Sequence, residues 1–165
     1  MSEDVSTVTT ELDLQHLTRT IELAAAAREH GNHPFGSLLV GSDGDVLLEA
    51  ENTVVTDRDC TAHAEQNLVR AAVARFEPDQ LAGCTLYAST EPCAMCAGAI
   101  FWSGIGRVVF ALSSATLGGI VEDPTGSRTL AMSCRDVFER GGRAVDVRGP
   151  LIEDEALVVH ERFWS

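Results

Sequence analysis

CTLYASTEPCAMCAGAIFWSGIGRVVFAL, residues 84–112, reads as strand, helix, strand. Cys84 to Ser89 is a short β-prone run, and Arg107-Val108-Val109-Phe110-Ala111-Leu112 is a second one. Between them, Cys93 to Trp102 reads as a core helix, opened by Pro92 where a missing N–H costs nothing. Two strands joined by a helix imply a right-handed crossover and parallel pairing. Upstream, His63 to Phe76 has helical character, with Leu68, Val69, Ala72 and Val73 as its buried side. Before it lie a strand from Phe35 to Val40, a tight turn at Ser42-Asp43-Gly44-Asp45 and a strand from Val46 to Glu49. A first helix runs from Leu12 through Ala27, and Gly31 supplies its left-handed stop. Downstream, Ser113 to Ser133 is rich in Gly, Ser and Thr and reads as irregular, lid-like chain. Ala144 to Arg148 is a final short strand, and Glu153 to Trp164 a C-terminal helix with acidic residues at its N-terminal dipole.

The expected order is therefore αββαβαβ, irregular structure, then βα. That predicts an α/β fold of three α-β-α layers, with a central mixed five-stranded sheet, mostly parallel, and helices on both faces. Residues 1–11 are expected to form a flexible tail and residues 12–165 a single domain.

Composition narrows the function. A content of 45% hydrophobic and 22% charged residues belongs to a globular chain, not a disordered one. No apolar stretch is long enough for a membrane span, and the acidic, hydroxyl-rich MSEDVSTVTTELD start lacks the apolar run of a secretory signal. A cytoplasmic protein is expected. All twelve basic residues are arginine, which excludes Schiff-base chemistry on a lysine of this chain. The net charge of −13 argues against a broad phosphate-binding surface, and Arg19, Arg28, Arg58, Arg70 and Arg75 are scattered. Small substrates suit this balance better than nucleic acid.

Five cysteines without an export signal argue against a disulfide framework. Cys60, Cys84 and Cys134 read as small hydrophobes. Cys93 and Cys96 are three apart at a helix start, so both thiols leave one face, where the helix dipole favours thiolate. Alone, Cys-x-x-Cys fits a redox pair or a structural zinc ribbon as well. His63 and Glu65 decide otherwise: a redox pair gains nothing from them, and a ribbon needs a second Cys-x-x-Cys. One His and two Cys give zinc three protein ligands and leave the fourth position for water, whose proton Zn2+ loosens near neutral pH. Glu65, beside the ion but not ligating it, can carry that proton.

His63-Ala64-Glu65 followed by Pro92-Cys93-Ala94-Met95-Cys96 is the signature of the zinc-dependent nucleobase deaminases. From about Leu17 to Leu112 the chain resembles the cytidine deaminase superfamily, in the branch holding guanine deaminases and tRNA adenosine deaminases. Pro34-Phe35-Gly36, Leu86-Tyr87, Glu91 and Arg107-Val108-Val109-Phe110 extend the likeness. The resemblance implies a cytidine-deaminase-like sandwich, Zn2+ on His63, Cys93 and Cys96, and Glu65 as proton shuttle. It further implies Asn52 as a hydrogen-bond partner of the base or sugar, and the Ala64 N–H as a reader of a ring carbonyl or nitrogen.

Pro34-Phe35-Gly36 with Ala99-Ile100-Phe101-Trp102 resembles the guanine deaminase version, which makes Phe35 and Trp102 candidate pocket residues. The aromatic ending Phe163-Trp164 resembles a C-terminus that closes over an active site, often the partner's, and so implies a homodimer with segment exchange. The usual Phe-Asp-Asp-like segment is missing; Glu122 or Asp123 is the candidate replacement. The expected activity is hydrolytic deamination of a free nucleobase or related amino-heterocycle. The alternatives are tRNA adenosine deamination and a catalytically silent zinc-binding interaction module.

Overall fold

The computed structural model describes residues 9–121, 123, 125 and 130–164. Helix α1 (Glu11–Glu29) opens on a capping box. Thr10 Oγ1 accepts from the Asp13 N–H at 3.1 Å, and the Asp13 carboxylate accepts from the Thr10 N–H at 3.0 Å. Thr10 and Glu11 thus belong to the helix, and residues 1–8 of the expected tail lie outside the described residues. Gly31, at φ 90°, ends the helix region in the left-handed conformation expected of it.

The chain continues through β1 (Gly36–Val40), β2 (Val46–Glu51), α2 (Val54–Asp57), α3 (Ala64–Val73), α4 (Pro78–Ala82) and β3 (Thr85–Thr90). It then forms α5 (Ala94–Ser103), β4 (Arg107–Leu112), α6 (Ser114–Ile120), α7 (Cys134–Glu139), β5 (Asp146–Arg148) and α8 (Glu153–Leu157). A 3-10 turn, Val158–His160, follows α8. The expected C-terminal helix is therefore cut short. Ile152 and Arg162 adopt positive φ at either end of this stretch, so no single helix spans it.

The five strands are ordered β2-β1-β3-β4-β5. Pairs β3/β4 and β4/β5 are parallel, whereas β1 runs antiparallel to both β2 and β3. The sheet is mixed, as the sequence predicts, but less parallel. The β2–α3–β3 crossover does keep its two strands in the same direction; it steps over β1, which lies between them.

Strand alternation divides the core into two layers. Leu39, Leu86, Ala88 and Phe110 pack with Leu68 of α3, Ile100 of α5 and Phe138 of α7. Leu38, Tyr87 and Val109 pack on the other face against Leu17 of α1 and Ala156 of α8. At Gly36 a Cβ would lie 2.5 Å from the Leu23 Cβ and the Thr20 carbonyl, so only glycine lets β1 approach α1 so closely. Among the described residues no helix is long and apolar enough to cross a membrane.

Candidate active site

Helices α3 and α5 pack on each other with their first residues converging. His63 is the N-cap of α3 (φ −65°, ψ 153°) and Cys93 the N-cap of α5 (φ −67°, ψ 172°). Cap positions usually hold a side chain that bonds back to the helix. Neither residue does so. The imidazole and the thiol face each other instead, and Cys96 joins them from the first turn of α5.

His63 Nδ1 lies 3.6 Å from Cys93 Sγ and 3.6 Å from Cys96 Sγ. Tetrahedral zinc with bonds of about 2.3 Å to sulfur and about 2.05 Å to nitrogen requires an N···S separation of about 3.6 Å. The three ligand atoms all fall within 4.8 Å of one another. The donor set and its spacing fit one zinc ion.

The electrostatics agree. A hydrogen bond from Cys96, outweighing burial and aided by His63, pulls the Cys93 thiol down to about 4. The same hydrogen bond, burial and the charges of Glu65 and Cys93 push Cys96 upward. The hydrogen bond to Cys93 raises His63 despite its burial. The two sulfurs are thus shifted in opposite directions by their shared hydrogen bond, and a divalent cation held here would supply the charge that favours thiolate at both.

Glu65 is 6% exposed, and Cys96 Sγ donates to its Oε2 at 3.8 Å. Burial, then the Cys93 charge, push this carboxyl up to about 7. A buried acid with that proton affinity is suited to taking and returning a proton near neutral pH.

His63, Cys93 and Glu65 line a cavity of about 160 Å³. Thr90 and Glu91 line it from the end of β3, and Phe35, Leu117, Leu130 and Met132 contribute apolar wall. Glu91 is also a staple. Its Oε2 accepts from the Ser114 N–H at 2.9 Å and the Ser114 hydroxyl at 2.8 Å, and its Oε1 from the Cys134 N–H at 3.3 Å. One buried carboxylate therefore holds the start of α6 and the start of α7. The wall residues Leu117, Leu130 and Met132 lie between those two points in the chain. Sequence reading did not assign Thr90 to the site, though the continuing alternation from Leu86 through Ala88 to Thr90 was an available signal; Glu91 entered it only through the motif, and Leu117, Leu130 and Met132 only as part of the lid-like stretch Ser113 to Ser133.

The other expected residues are placed unequally. Asn52 is buried, and its Oδ1 accepts from the Val54 N–H at 3.1 Å, closing the turn after β2. It does not line the cavity. Ala64, fully buried, is the first residue of α3, so its N–H is one of the donors a helix leaves free. Trp102 is not brought to the cavity within this chain. It is 85% exposed and lies nine residues along α5 from Cys93, about 13 Å away at 1.5 Å per residue. Phe163 and Trp164 fold back on their own chain. Trp164 packs 6.0 Å from Phe35 and donates from Nε1 to His160 Nδ1 at 3.0 Å, and it is not a lining residue of the cavity. Asp123 accepts from Thr125 Oγ1 and is not a lining residue; Glu122 lies outside the described residues.

The sequence profile of the cytidine and deoxycytidylate deaminase zinc-binding region matches residues 10–112. The chain belongs to this family. A probable cytosine deaminase of Schizosaccharomyces pombe is 42% identical over 160 residues, covering 97% of each chain. A tRNA-specific adenosine deaminase of Haemophilus influenzae is 37% identical over 117 residues, 71% of this chain and 68% of that one. The solved guanine deaminase of Nitrosomonas europaea superposes with a TM-score of 0.73 at 26% identity, covering 92% of this chain and 83% of that one. The chain is a zinc-dependent hydrolytic deaminase of the family, and His63, Cys93 and Cys96 are spaced so that they can hold a metal ion.

Proposed function

We propose that the substrate is a free nucleobase, a single aminated ring. The observation that carries this reading is the cavity itself. At about 160 Å³, walled by Phe35, Leu117, Leu130 and Met132, it has room for one planar ring against apolar surface. The net charge of −13 and the absence of lysine favour a small ligand over a phosphate backbone. The probable cytosine deaminase, similar from end to end, supports a free base and makes cytosine the first candidate, with guanine next.

Bound zinc would supply an activated water at neutral pH. Glu65 takes that proton and hands it to the ring nitrogen beside the amino-bearing carbon; it then takes the proton of the hydroxyl added to that carbon and passes it to the amine, so that the C–N bond breaks, ammonia leaves and a ring carbonyl remains. Glu65 enters this relay as the carboxylate; its burial raises its affinity for the proton it accepts and keeps bulk water from competing for that proton. Phe35 packs against the ring face. The Ala64 N–H offers a hydrogen bond to a ring carbonyl or nitrogen, and Asn52 orders the turn that leads into α3. His63, Cys93 and Cys96 hold the ion. Trp164 and His160 pack on Phe35, and Phe163 packs on Trp164.

A second copy of the chain is the proposed partner. Met95, Gly98, Ala99 and Trp102 form an uncharged stripe on the outer side of α5, and Trp102 is 85% exposed. A contiguous apolar stripe of this kind suits association. Light scattering should give twice the chain mass, and Trp102→Glu should halve it.

The substrate test is ammonia release by zinc-loaded protein from cytosine, guanine and adenine. Release from at least one base, lost in Glu65→Ala that retains its zinc, is the expected result. Tight, salt-sensitive binding of tRNA together with inosine formation, and no turnover of free bases, would overturn it in favour of the tRNA reading.

A further inference from the structure

Nearly every polar side chain of the cavity wall has a protein partner. Both oxygens of Glu91 accept hydrogen bonds, from Ser114 and Cys134, the Ser114 hydroxyl donates to Glu91, His63 and Cys93 face each other, and Glu65 accepts from Cys96. Thr90 is the exception. The residue lines the cavity and is 4% exposed, yet its buried Oγ1 meets no hydrogen-bond partner among the described residues. Leu86 and Ala88, on the same side of β3, pack in the layer under α3 and α5, so strand alternation turns Thr90 to that side as well. Burying a hydroxyl unpaired is unfavourable; Oγ1 itself has almost no surface on the cavity that Thr90 lines, and a turn about Cα–Cβ, which exchanges Oγ1 with Cγ2, would bring it to a ligand there.

We propose that Thr90 is a substrate-reading residue, its hydroxyl hydrogen-bonding a polar edge atom of the bound base from the β3 side. This rests on the free-base reading above. A hydroxyl both donates and accepts, so it can serve a ring carbonyl, a ring nitrogen or an N–H on that edge. Cys93 is only three residues further along the chain, which fixes the distance between the reading group and the metal ligands through the stiff end of a central strand.

The fold contains its own control. Ser37 Oγ is likewise buried without a partner, on the side of β1 that Leu39 shares with the same core layer, but Ser37 does not line the cavity. The two hydroxyls differ in place and not in chemistry.

The test compares zinc-loaded wild type, Thr90→Val, Thr90→Ser and Ser37→Ala, with cytosine and guanine as probes. Thr90→Val should raise KM about tenfold while kcat stays within about twofold, the pattern of a lost binding contact. It should also shrink the rise in melting temperature that the base produces. Without base it should melt no lower than wild type, because valine keeps the shape and removes only an unpaired polar group. Thr90→Ser should restore KM, and Ser37→Ala should leave it unchanged. A wild-type KM in Thr90→Val, or a lower base-free melting temperature, overturns the proposal and assigns the hydroxyl to the fold. If wild type ignores both bases but deaminates adenosine in a tRNA anticodon stem-loop, the free-base reading falls. Thr90 is then judged by the same KM comparison on the stem-loop. Silence on all three probes overturns both readings.

Discussion

Two buried clusters of ionisable groups sit on this sheet, and they are built on opposite rules. In the first, the Asp13 carboxylate accepts from the Tyr87 hydroxyl at 2.7 Å and from both terminal nitrogens of Arg107, at 3.0 and 3.1 Å. Burial alone would raise Asp13, but the hydrogen bonds from Arg107, the Thr10 backbone and Tyr87 hold it far below the ordinary carboxylate range. That cluster completes itself. In the second, His63, Cys93, Cys96 and Glu65 crowd together with too few donors: one sulfur is pulled toward thiolate and Glu65 is pushed toward its neutral form. His63, Cys93 and Cys96 in it are spaced to hold a cation. A buried polar cluster that satisfies itself supports the fold, and one that does not is reserved for chemistry.

The sharpest way to break this contrast is to remove a ligand. Cys93→Ala should lose stoichiometric zinc, measured by elemental analysis, with activity and thermal stability falling together. Zinc retained at one equivalent would count against the ligand set. Glu65→Gln should keep its zinc yet lose about 10³-fold in kcat/KM, the usual scale for a positioned proton carrier. Asp13→Asn should do the reverse, costing about 3 kcal/mol in urea unfolding with zinc content unchanged. The pH dependence gives its sign. A carboxyl depressed by folding stabilises above its unfolded pKa of about 3.9 and loses that contribution as pH falls toward the folded value. Wild type should therefore weaken as pH drops below about 4, and Asp13→Asn should show a shallower fall there. The smallest effect is expected of Glu91→Gln, about 1–2 kcal/mol in stability, with a rise in KM as the Leu117 and Met132 wall loosens.

The strand–helix–strand of residues 84–112 was legible because its helix start, its β-prone runs and its crossover agree with one another. The ligands were legible for the same reason: His63 and Cys93 open two helices, and Cys96 lies one turn in. The stretch after β4 was not. Helix α6 is Ser-Ala-Thr-Leu-Gly-Gly-Ile, a poor helix former with two glycines. It is held by the Ser113 cap and by carboxylates from distant parts of the chain, Glu91 on Ser114 and Glu153 on the Ser113 N–H. No local signal carries that. Helix α7 is different, since Ser133 and Asp136 form a capping box and Cys134, Val137 and Phe138 have helical spacing. That signal was present and went unread among the neighbouring turn residues. Trp102 was assigned to the pocket by likeness of a short motif, but the helix rise carries it away from the metal ligands.

The chain has two tryptophans, one open to solvent at the end of α5 and one packed on the Phe35 ring. Their fluorescence is a ready pair of reporters. Trp102, 85% exposed, is open to an iodide quencher, and a second subunit seated on α5 would shield it, whereas Trp164, 6.0 Å from the Phe35 ring, would report a ligand that shifts Phe35. Assembly and ligand occupancy can therefore be followed separately in one unlabelled sample.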